Sequence, residues 1–167
     1  MIVETERLLL RELTPEDLPF ISEMLGDAEV MRFYPRPLDR KGSMDWIEVQ
    51  RRRYTTDGFG FWLVVHRADG AAIGQAGLVR QVIENTGEAG LSYLMHKPFW
   101  RQGYAEEAAR ACLKYGFSLG LERIVCTVRP ENEPSLALAC KLGFREERQL
   151  DYKGYTHILF GMSRDGP

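Results

Sequence analysis

The sequence predicts an α+β fold, with a mixed and mostly antiparallel sheet of about seven strands and about four helices. Two observations predict it. Apolar and polar residues alternate through several short runs that tight turns separate, which is the pattern of an antiparallel meander. Further along, two strands flank a helix, and such a strand–helix–strand unit places its strands in parallel. Internal repeats and linkers are absent, which indicates a single domain over residues 1–167.

The N-terminal third is predicted to hold one strand and two helices. Alternation over residues 5–13 indicates the strand. Thr14 and Pro15 then suit the N-cap and the first position of a helix over residues 14–25. A second helix is predicted over residues 43–55, where an Asp-Gly pair ends it.

A predicted three-stranded meander fills the middle of the chain. Residues 59–67 and 73–83 indicate two strands, which Ala-Asp-Gly at 68–70 joins in a hairpin. An Asn-Thr-Gly turn at 85–87 leads into a third strand over residues 88–95. Glycine and acidic or amide residues bound each run, as is usual between neighbouring antiparallel strands.

The C-terminal part alternates helices and strands before it ends in a hairpin. Gly120 and Gly143 mark the ends of two helices, and a β-branched run between them predicts a strand. A Lys-Gly pair at 153–154 joins the last two strands. The predicted elements are a helix to about residue 119, a strand at 123–128, a helix at 134–142, and strands at 144–151 and 155–163.

Composition and charge narrow the classes of function. The 167 residues are 44% hydrophobic and 28% charged, which supports a packed core and argues against disorder. A formal net charge of -2 argues against nucleic acid as a partner. Neither a signal peptide nor an apolar run of membrane-spanning length is present, so we expect a cytoplasmic protein with no membrane partner. The histidines and cysteines form no metal-binding motif, so we expect no metal.

The most informative stretch is PFWRQGYAEEAARACLKYGF at residues 98–117, a helix whose start has no capping side chain. Its first turn presents backbone N–H groups without internal partners, together with the positive end of the helix dipole. Gly103 would let an anion approach the backbone, and Arg101 adds positive charge. A phosphate group is therefore the ligand expected at this helix start. The alternative is that water alone hydrates its N–H groups. Neither the P-loop pattern nor the three-glycine dinucleotide pattern is present.

The whole chain resembles the GNAT superfamily of N-acetyltransferases, in particular the branch with the ribosomal-protein N-terminal (alanine) acetyltransferases. The matching segments are ETERLLLREL at 4–13, a strand at 91–95 with FWRQGYA at 99–105, Asn132-x-x-Ser135, and Leu142-Gly143-Phe144. The resemblance implies a three-layer α/β arrangement around a twisted sheet, with a V-shaped split between two central parallel strands. The chain departs from the family's phosphate-loop pattern at Trp100, where the family has Gln or Arg.

The resemblance implies acetyl-CoA as the cosubstrate and assigns residues to it. The pyrophosphate would lie on the helix start, and the pantetheine arm would pair with the backbone of Leu94 and Met95 in the split. A backbone N–H of one of these two residues would stabilise the oxyanion. The coenzyme-binding residues implied are Leu94, Met95, Arg101, Gln102, Gly103, Tyr104, Ala105, Glu106, Asn132 and Ser135.

Acetyl transfer also needs a base and a proton donor, because an amine is mostly protonated at neutral pH. The glutamate of many family members aligns with Gly90, but Glu88 lies two residues earlier on the same strand face. We therefore expect Glu88 to be the base, directly or through water, with a surface role at the strand edge as the alternative. The family's tyrosine general acid is replaced by Ala139, which leaves Ser135, Cys140 or water as the donor to the thiolate.

The resemblance implies that the acceptor binds between the two early helices and the loop that joins them. Phe33 and Tyr34, in the proline-rich segment 31–38, are the candidate acceptor contacts, with plain packing as the alternative. The acceptor would be a primary amine on a small molecule or a protein N-terminus.

Three functions stay open at this level. The first is direct acetyl transfer from acetyl-CoA to the amine in a ternary complex. The second is a coenzyme A-binding module without catalysis, which the missing tyrosine and the displaced glutamate suggest. The third is transfer from another acyl-CoA, such as succinyl-CoA, for which Arg32 or Arg36 could supply a cation. We expect a monomer or a homodimer.

Overall fold

Residues 2–164, which the computed structural model describes, form one eight-stranded sheet and four α-helices. The strands are β1 (Val3–Glu4), β2 (Leu8–Glu12), β3 (Phe61–His66), β4 (Ala72–Ile83), β5 (Thr86–Met95), β6 (Arg123–Val128), β7 (Arg145–Tyr152) and β8 (Tyr155–Ser163). The helices are α1 (Leu18–Gly26), α2 (Arg40–Thr56), α3 (Tyr104–Ser118) and α4 (Glu133–Leu142). Short 3₁₀ helices at Pro15–Asp17 and Lys97–Phe99 precede α1 and α3.

The strand order across the sheet is β1-β2-β3-β4-β5-β6-β8-β7. Neighbouring strands are antiparallel except β5 and β6, which run parallel and pair at Gly90 and Val125. This mixed sheet confirms the predicted fold class. Among the described residues it has one strand more than predicted, because β1 lies before the segment 5–13 that was predicted as the first strand. A turn in which the Thr5 N–H donates to the Leu8 carbonyl (2.9 Å) separates β1 from β2.

Two hydrophobic cores lie on opposite faces of the sheet and give the molecule its three layers. Along β3, Trp62 points into one core and Leu63 into the other, as the period of a strand requires. The first core lies under α3 and α4 and includes Cys112 of α3. The second lies under α1 and α2 and includes Ile47 of α2.

The starts of α1 and α2 follow from carboxylate caps. The Asp17 carboxylate accepts a hydrogen bond from the Thr14 N–H (2.8 Å), which confirms the predicted entry into the first helical segment. α2 begins at Arg40, earlier than predicted, because Asp39 accepts a hydrogen bond from the Gly42 N–H (2.7 Å) and caps the helix.

The hairpin between β4 and β5 determines which neighbour each backbone group of β5 faces. Its two turn residues, Glu84 and Asn85, have φ values of 47° and 68°, so β5 begins at Thr86, two residues before the predicted start. Such a turn closes on a hydrogen-bonded pair, so even-numbered residues of β5 direct their N–H and C=O groups to β4. The His96 N–H, which donates to the Ile73 carbonyl (2.9 Å), continues this series.

Candidate functional site

The two central strands separate just beyond their point of pairing. Within residues 2–164, β5 and β6 pair in register only at Gly90 and Val125. Beyond that point β5 continues to Met95 and β6 to Val128 without a ladder between them. Because α3 follows β5 and α4 follows β6, both helices begin at the open end of this split. Two positive helix ends therefore lie at its mouth.

The register of β5 decides which backbone groups face the split. Leu94 is aligned with Gln75, so its N–H and C=O point to β4, whereas those of Tyr93 and Met95 point to the split. The Met95 carbonyl accepts a hydrogen bond from the Trp100 indole N–H (2.7 Å), which leaves the Met95 N–H open. The prediction that the Leu94 backbone serves the split is therefore corrected: Tyr93 and Met95 supply the donors there.

The first turn of α3 carries a row of unpaired N–H groups. Gly103 is the N-cap with a left-handed φ of 81°, and no described side chain caps the helix. Arg101, two residues after the 3₁₀ helix, also has a positive φ of 61°. The first backbone bond of the helix runs from the Glu107 N–H to the Gly103 carbonyl (3.1 Å), and the N–H groups of residues 102–106 find no acceptor within residues 2–164. The turn therefore has the donor arrangement that binds anions.

The predicted side chains around this turn have different surroundings. Arg101 is exposed. The Gln102 amide donates to the Pro98 carbonyl (3.0 Å), which folds that side chain back onto its own loop. Tyr104 and Ala105 are half-buried and pack against the core under α3. Among these three residues and Arg101, Arg101 has the charged side chain, and it extends into solvent near the turn.

Glu106 ties the start of α3 to the end of α4. Its carboxylate contacts Lys141 (2.5 Å) and Arg110 (3.0 Å). The hydrogen bond from Lys141, followed by that from Arg110, lowers the pKa of Glu106. The carboxylate is therefore neutralised by two cations, and the backbone N–H is the group that Glu106 offers to an anion.

Arg7 braces the same turn from β2, and sequence reasoning missed it. Its guanidinium donates to the Gln102 carbonyl (3.0 Å) and to the Glu107 carboxylate (2.6 Å), and it stacks 4.5 Å from the Tyr104 ring centroid. Burial alone would raise the pKa of Glu107, but hydrogen bonds from Thr5 and Arg7 outweigh it, so this pKa is lowered. Arg7 lies 95 residues before Gln102, so no local pattern could connect them.

The start of α4 brings Asn132 and Ser135 to the open end of the split. The Asn132 side-chain oxygen accepts a hydrogen bond from the Ser135 N–H (3.3 Å), so Asn132 caps α4. The Tyr93 hydroxyl donates to the Ser135 carbonyl (3.4 Å), which joins β5 to α4 across the split. Cys140, another predicted proton donor, is exposed on α4.

Two phenols lie beside the split, near the buried thiol of Cys126 on β6. Tyr34 comes from the loop between α1 and α2, and Tyr93 comes from β5. The Tyr34 side chain is 37% exposed, but desolvation of its hydroxyl raises its pKa to about 12, and Cys126 adds to this shift. Burial likewise raises the pKa of Tyr93, with contributions from Cys126 and Tyr34. Both hydroxyls therefore remain protonated at neutral pH.

Glu88 lies on the predicted face of β5 but already has a partner. Its carboxylate accepts a hydrogen bond from Arg123 (3.2 Å), which also binds Glu147 (2.6 Å). A side chain at Gly90, where the family's glutamate would stand, would collide with the Gln81 carboxamide. Gln81 therefore occupies the space of the missing glutamate, and the role of Glu88 as base stays a prediction.

A cavity of about 260 Å³ lies on the α1–α2 side of the sheet, next to the split. Tyr34 lines it, as predicted for an acceptor contact, and so does the side chain of Leu94. Phe33 is not among the lining residues, because its ring packs against the Arg32 guanidinium at 4.7 Å. The lining residues are Leu25, Met31, Tyr34, Pro35, Arg36, Leu38, Trp46, Gln75 and Leu94.

None of the helices within residues 2–164 has the length and apolar character needed to cross a membrane. A family model described as an acetyltransferase (GNAT) domain matches residues 7–145. The Bacillus subtilis protein YoaA, an uncharacterized N-acetyltransferase, is 32% identical over 163 residues, which cover 93% of this chain and 90% of that protein.

Two solved structures with coenzyme A share the fold. Mycobacterium smegmatis RimJ in complex with CoA-disulfide superposes with a TM-score of 0.79 at 22% identity, covering 95% of this chain and 82% of that one. Spermidine N-acetyltransferase from Vibrio cholerae, in complex with CoA and spermine, gives a TM-score of 0.77 at 22% identity, covering 97% and 98%.

Proposed function

The chain belongs to the GNAT acetyltransferases, which depend on acyl-CoA, and we propose that it moves an acetyl group from acetyl-CoA to a primary amine by direct transfer in a ternary complex. One observation carries the proposal. The unpaired N–H groups at the start of α3 and the backbone N–H groups of Tyr93 and Met95 lie at the same open end of the split.

The residues at this end fit coenzyme A. The N–H groups of residues 102–106 and the helix dipole suit a pyrophosphate, and exposed Arg101 adds charge. Gly103 leaves room for it, because a Cβ atom there would lie 3.3 Å from an Arg7 nitrogen and would strain a left-handed backbone. The open groups of β5 suit the amides of the pantetheine arm, which would add to the strand. The side-chain N–H groups of Asn132 have no partner among the described residues and would donate to the same arm.

Backbone donors in the split would stabilise the reaction. Bound acetyl-CoA supplies a thioester that an amine can attack. The pantetheine arm enters from the α3 end, so the Met95 N–H suits the arm. The Tyr93 N–H lies deeper in the split. We assign to it the stabilisation of the negative charge that develops on the thioester carbonyl oxygen.

Proton transfer is assigned to side chains on both faces of the split. Glu88 would take the proton of the amine through a water molecule, which the nearby Gln81 carboxamide would help to hold. Tyr34 and Tyr93 are the nearby phenols that hold a proton for the departing thiolate, and burial raises their pKa values, which makes each a weaker acid than a free phenol. The Ser135 hydroxyl, at the start of α4, is the other donor within reach of the split.

A coenzyme-binding module without catalysis is the second candidate. The Arg123 guanidinium donates a hydrogen bond to Glu88, which favours this alternative because that bond occupies one of the two carboxylate oxygens. It predicts binding of acetyl-CoA without release of thiol when amines are added. Acetyl transfer predicts both binding and amine-dependent release.

Calorimetric titration of the protein with acetyl-CoA tests the proposal. We expect wild-type protein to bind and Gly103→Glu to lose binding, because a carboxylate would occupy the anion site and repel the pyrophosphate. Gly120→Glu is the matched control, since Gly120 has a similar φ of 87° at the opposite end of α3 with open space around it. Equal affinities of all three proteins would contradict the proposed site.

A further inference from the structure

The cavity next to the split has walls that distinguish between classes of amine. Leu25 of α1, Trp46 of α2 and Leu94 of β5 give it three apolar sides. Its volume of about 260 Å³ lies just below the ~300–1,000 Å³ of sites for drug-sized ligands, which suits one aliphatic or aromatic side chain. Leu94 lines the cavity and stands between Tyr93 and Met95 on β5, so a group that contacts Leu94 lies beside the residues whose backbone faces the split.

The polar groups of the cavity do not suit a second ammonium group. None of its lining residues is Asp or Glu. The side-chain oxygen of Gln75 is already used, because it accepts a hydrogen bond from the Trp46 indole N–H (2.9 Å). A polyamine would therefore place a second ammonium group against an apolar wall without a carboxylate to pair with it. Removing that charge from water without a partner would cost binding free energy.

Segment 31–38, next to the cavity, carries two arginines and no acidic residue. Arg36 lines the cavity, and Arg32 stacks near the Phe33 and Trp100 rings at 4.7 and 5.9 Å. Both arginines are exposed, and neither has a carboxylate partner within residues 2–164. Unpaired guanidinium groups favour a carboxylate and repel a polycation.

From these three features, and resting on the proposed acetyl transfer, we infer that the acceptor is an α-amino acid with an aliphatic or aromatic side chain. Its side chain occupies the cavity, its carboxylate binds Arg36, and its amine faces the split beside Leu94. The amine nitrogen forms a bond to the acetyl carbon as the carbon–sulfur bond breaks. The amine loses a proton to the base and the thiolate gains one, which gives an N-acetylamino acid and free coenzyme A thiol.

Rates of thiol release from acetyl-CoA with L-phenylalanine, 2-phenylethylamine and spermidine test the inference. We expect the wild-type protein to prefer L-phenylalanine. Arg36→Gln should lower kcat/KM for L-phenylalanine by about tenfold or more through KM, since a charge-assisted hydrogen bond is lost. The same variant should leave 2-phenylethylamine unaffected, because that amine has no carboxylate. Arg52→Gln, which removes an exposed arginine of α2 outside the cavity, is the matched control.

A second variant tests the apolar wall. Leu38→Trp should fill part of the cavity, so KM should rise for L-phenylalanine and stay unchanged for glycine. Its acetyl-CoA affinity reports whether the variant is folded. Two results would overturn the inference. One is that the protein acetylates spermidine faster than L-phenylalanine. The other is that Arg36→Gln lowers kcat/KM equally for L-phenylalanine and 2-phenylethylamine.

Binding measurements separate this inference from the proposed function. L-Phenylalanine is titrated into the protein with and without coenzyme A and followed by calorimetry. If acetyl-CoA does not bind but L-phenylalanine does, the proposed transfer fails and the ligand class of the cavity stands. If acetyl-CoA binds and amines react but L-phenylalanine neither binds nor reacts, the inference alone fails.

Discussion

The two sides of the split are made from different kinds of groups. The α3 side presents backbone N–H groups at residues 102–106 and the open strand edge at Tyr93 and Met95. The α1–α2 side presents side chains, with Trp46 and Leu94 in the cavity wall and Arg36 at its rim. Backbone donors do not depend on side-chain identity, whereas a cavity changes with each substitution in its wall.

This difference explains why membership of the family indicates the coenzyme more directly than it indicates the acceptor. A relative can replace most side chains around the start of α3 and keep the same N–H groups, provided that a glycine permits the turn. Replacing Trp46 or Leu38 would alter the volume and the chemistry of the cavity in which we propose that the acceptor binds. The acceptor must therefore be argued from the side chains of this chain.

The largest effect is expected from Glu88, which should change turnover and leave the coenzyme side intact. Glu88→Gln should lower kcat about 100-fold at neutral pH, and less at high pH where more of the amine is already neutral. Acetyl-CoA affinity should not change. Glu147→Gln is the matched control, because Glu147 also binds Arg123 and lies on a different strand. Steady-state kinetics from pH 6 to 10 check this, and unchanged kinetics in Glu88→Gln would remove Glu88 from the mechanism.

A smaller effect is expected from Glu107, which should affect the coenzyme side and leave the acceptor side intact. Glu107→Gln should weaken the brace from Arg7, cost about 1 kcal/mol of stability and loosen acetyl-CoA binding. The folded pKa of Glu107 is lowered, so its stabilisation is present above the unfolded pKa and is lost as pH falls through the folded value.

Thermal unfolding between pH 3 and 7 measures this contribution. Wild-type protein should lose stability on the acid side more steeply than Glu107→Gln. Glu48→Gln, which breaks an exposed pair with Arg51, should follow the wild-type curve. Parallel curves for all three proteins would show that the brace contributes nothing measurable.

Local signals in the sequence were sufficient for much of the fold around the candidate site. The residues before α3 predicted a helix start without a side-chain cap, and the strand–helix–strand order predicted the parallel pair, because both depend on neighbouring residues. Asp39 was a readable cap that would have given the correct start of α2. The first strand was predicted from residue 5, but a turn begins at Thr5, so β2 starts only at Leu8 and β1 lies before the predicted segment.

The rest depended on register and on distant contacts. The predicted turn was placed at Asn85-Thr86-Gly87, one residue too late, so the sequence did not show which residues of β5 face the split. Leu94 was expected there with Met95, but the register directs the backbone groups of Leu94 to β4 and those of Tyr93 to the split. Arg7 reaches Gln102 only in the folded sheet. Such pairings exist only after the chain has folded.

Amide hydrogen exchange, resolved by NMR, tests the central claim that backbone groups of β5 and α3 hold the coenzyme. In the free protein we expect slow exchange at Leu94, which pairs with β4, and fast exchange at Tyr93, Met95 and residues 102–106. Coenzyme A should slow exchange at the second set and leave Leu94 unchanged. Exchange at Tyr93, Met95 and residues 102–106 that stays fast with saturating coenzyme A would contradict the account.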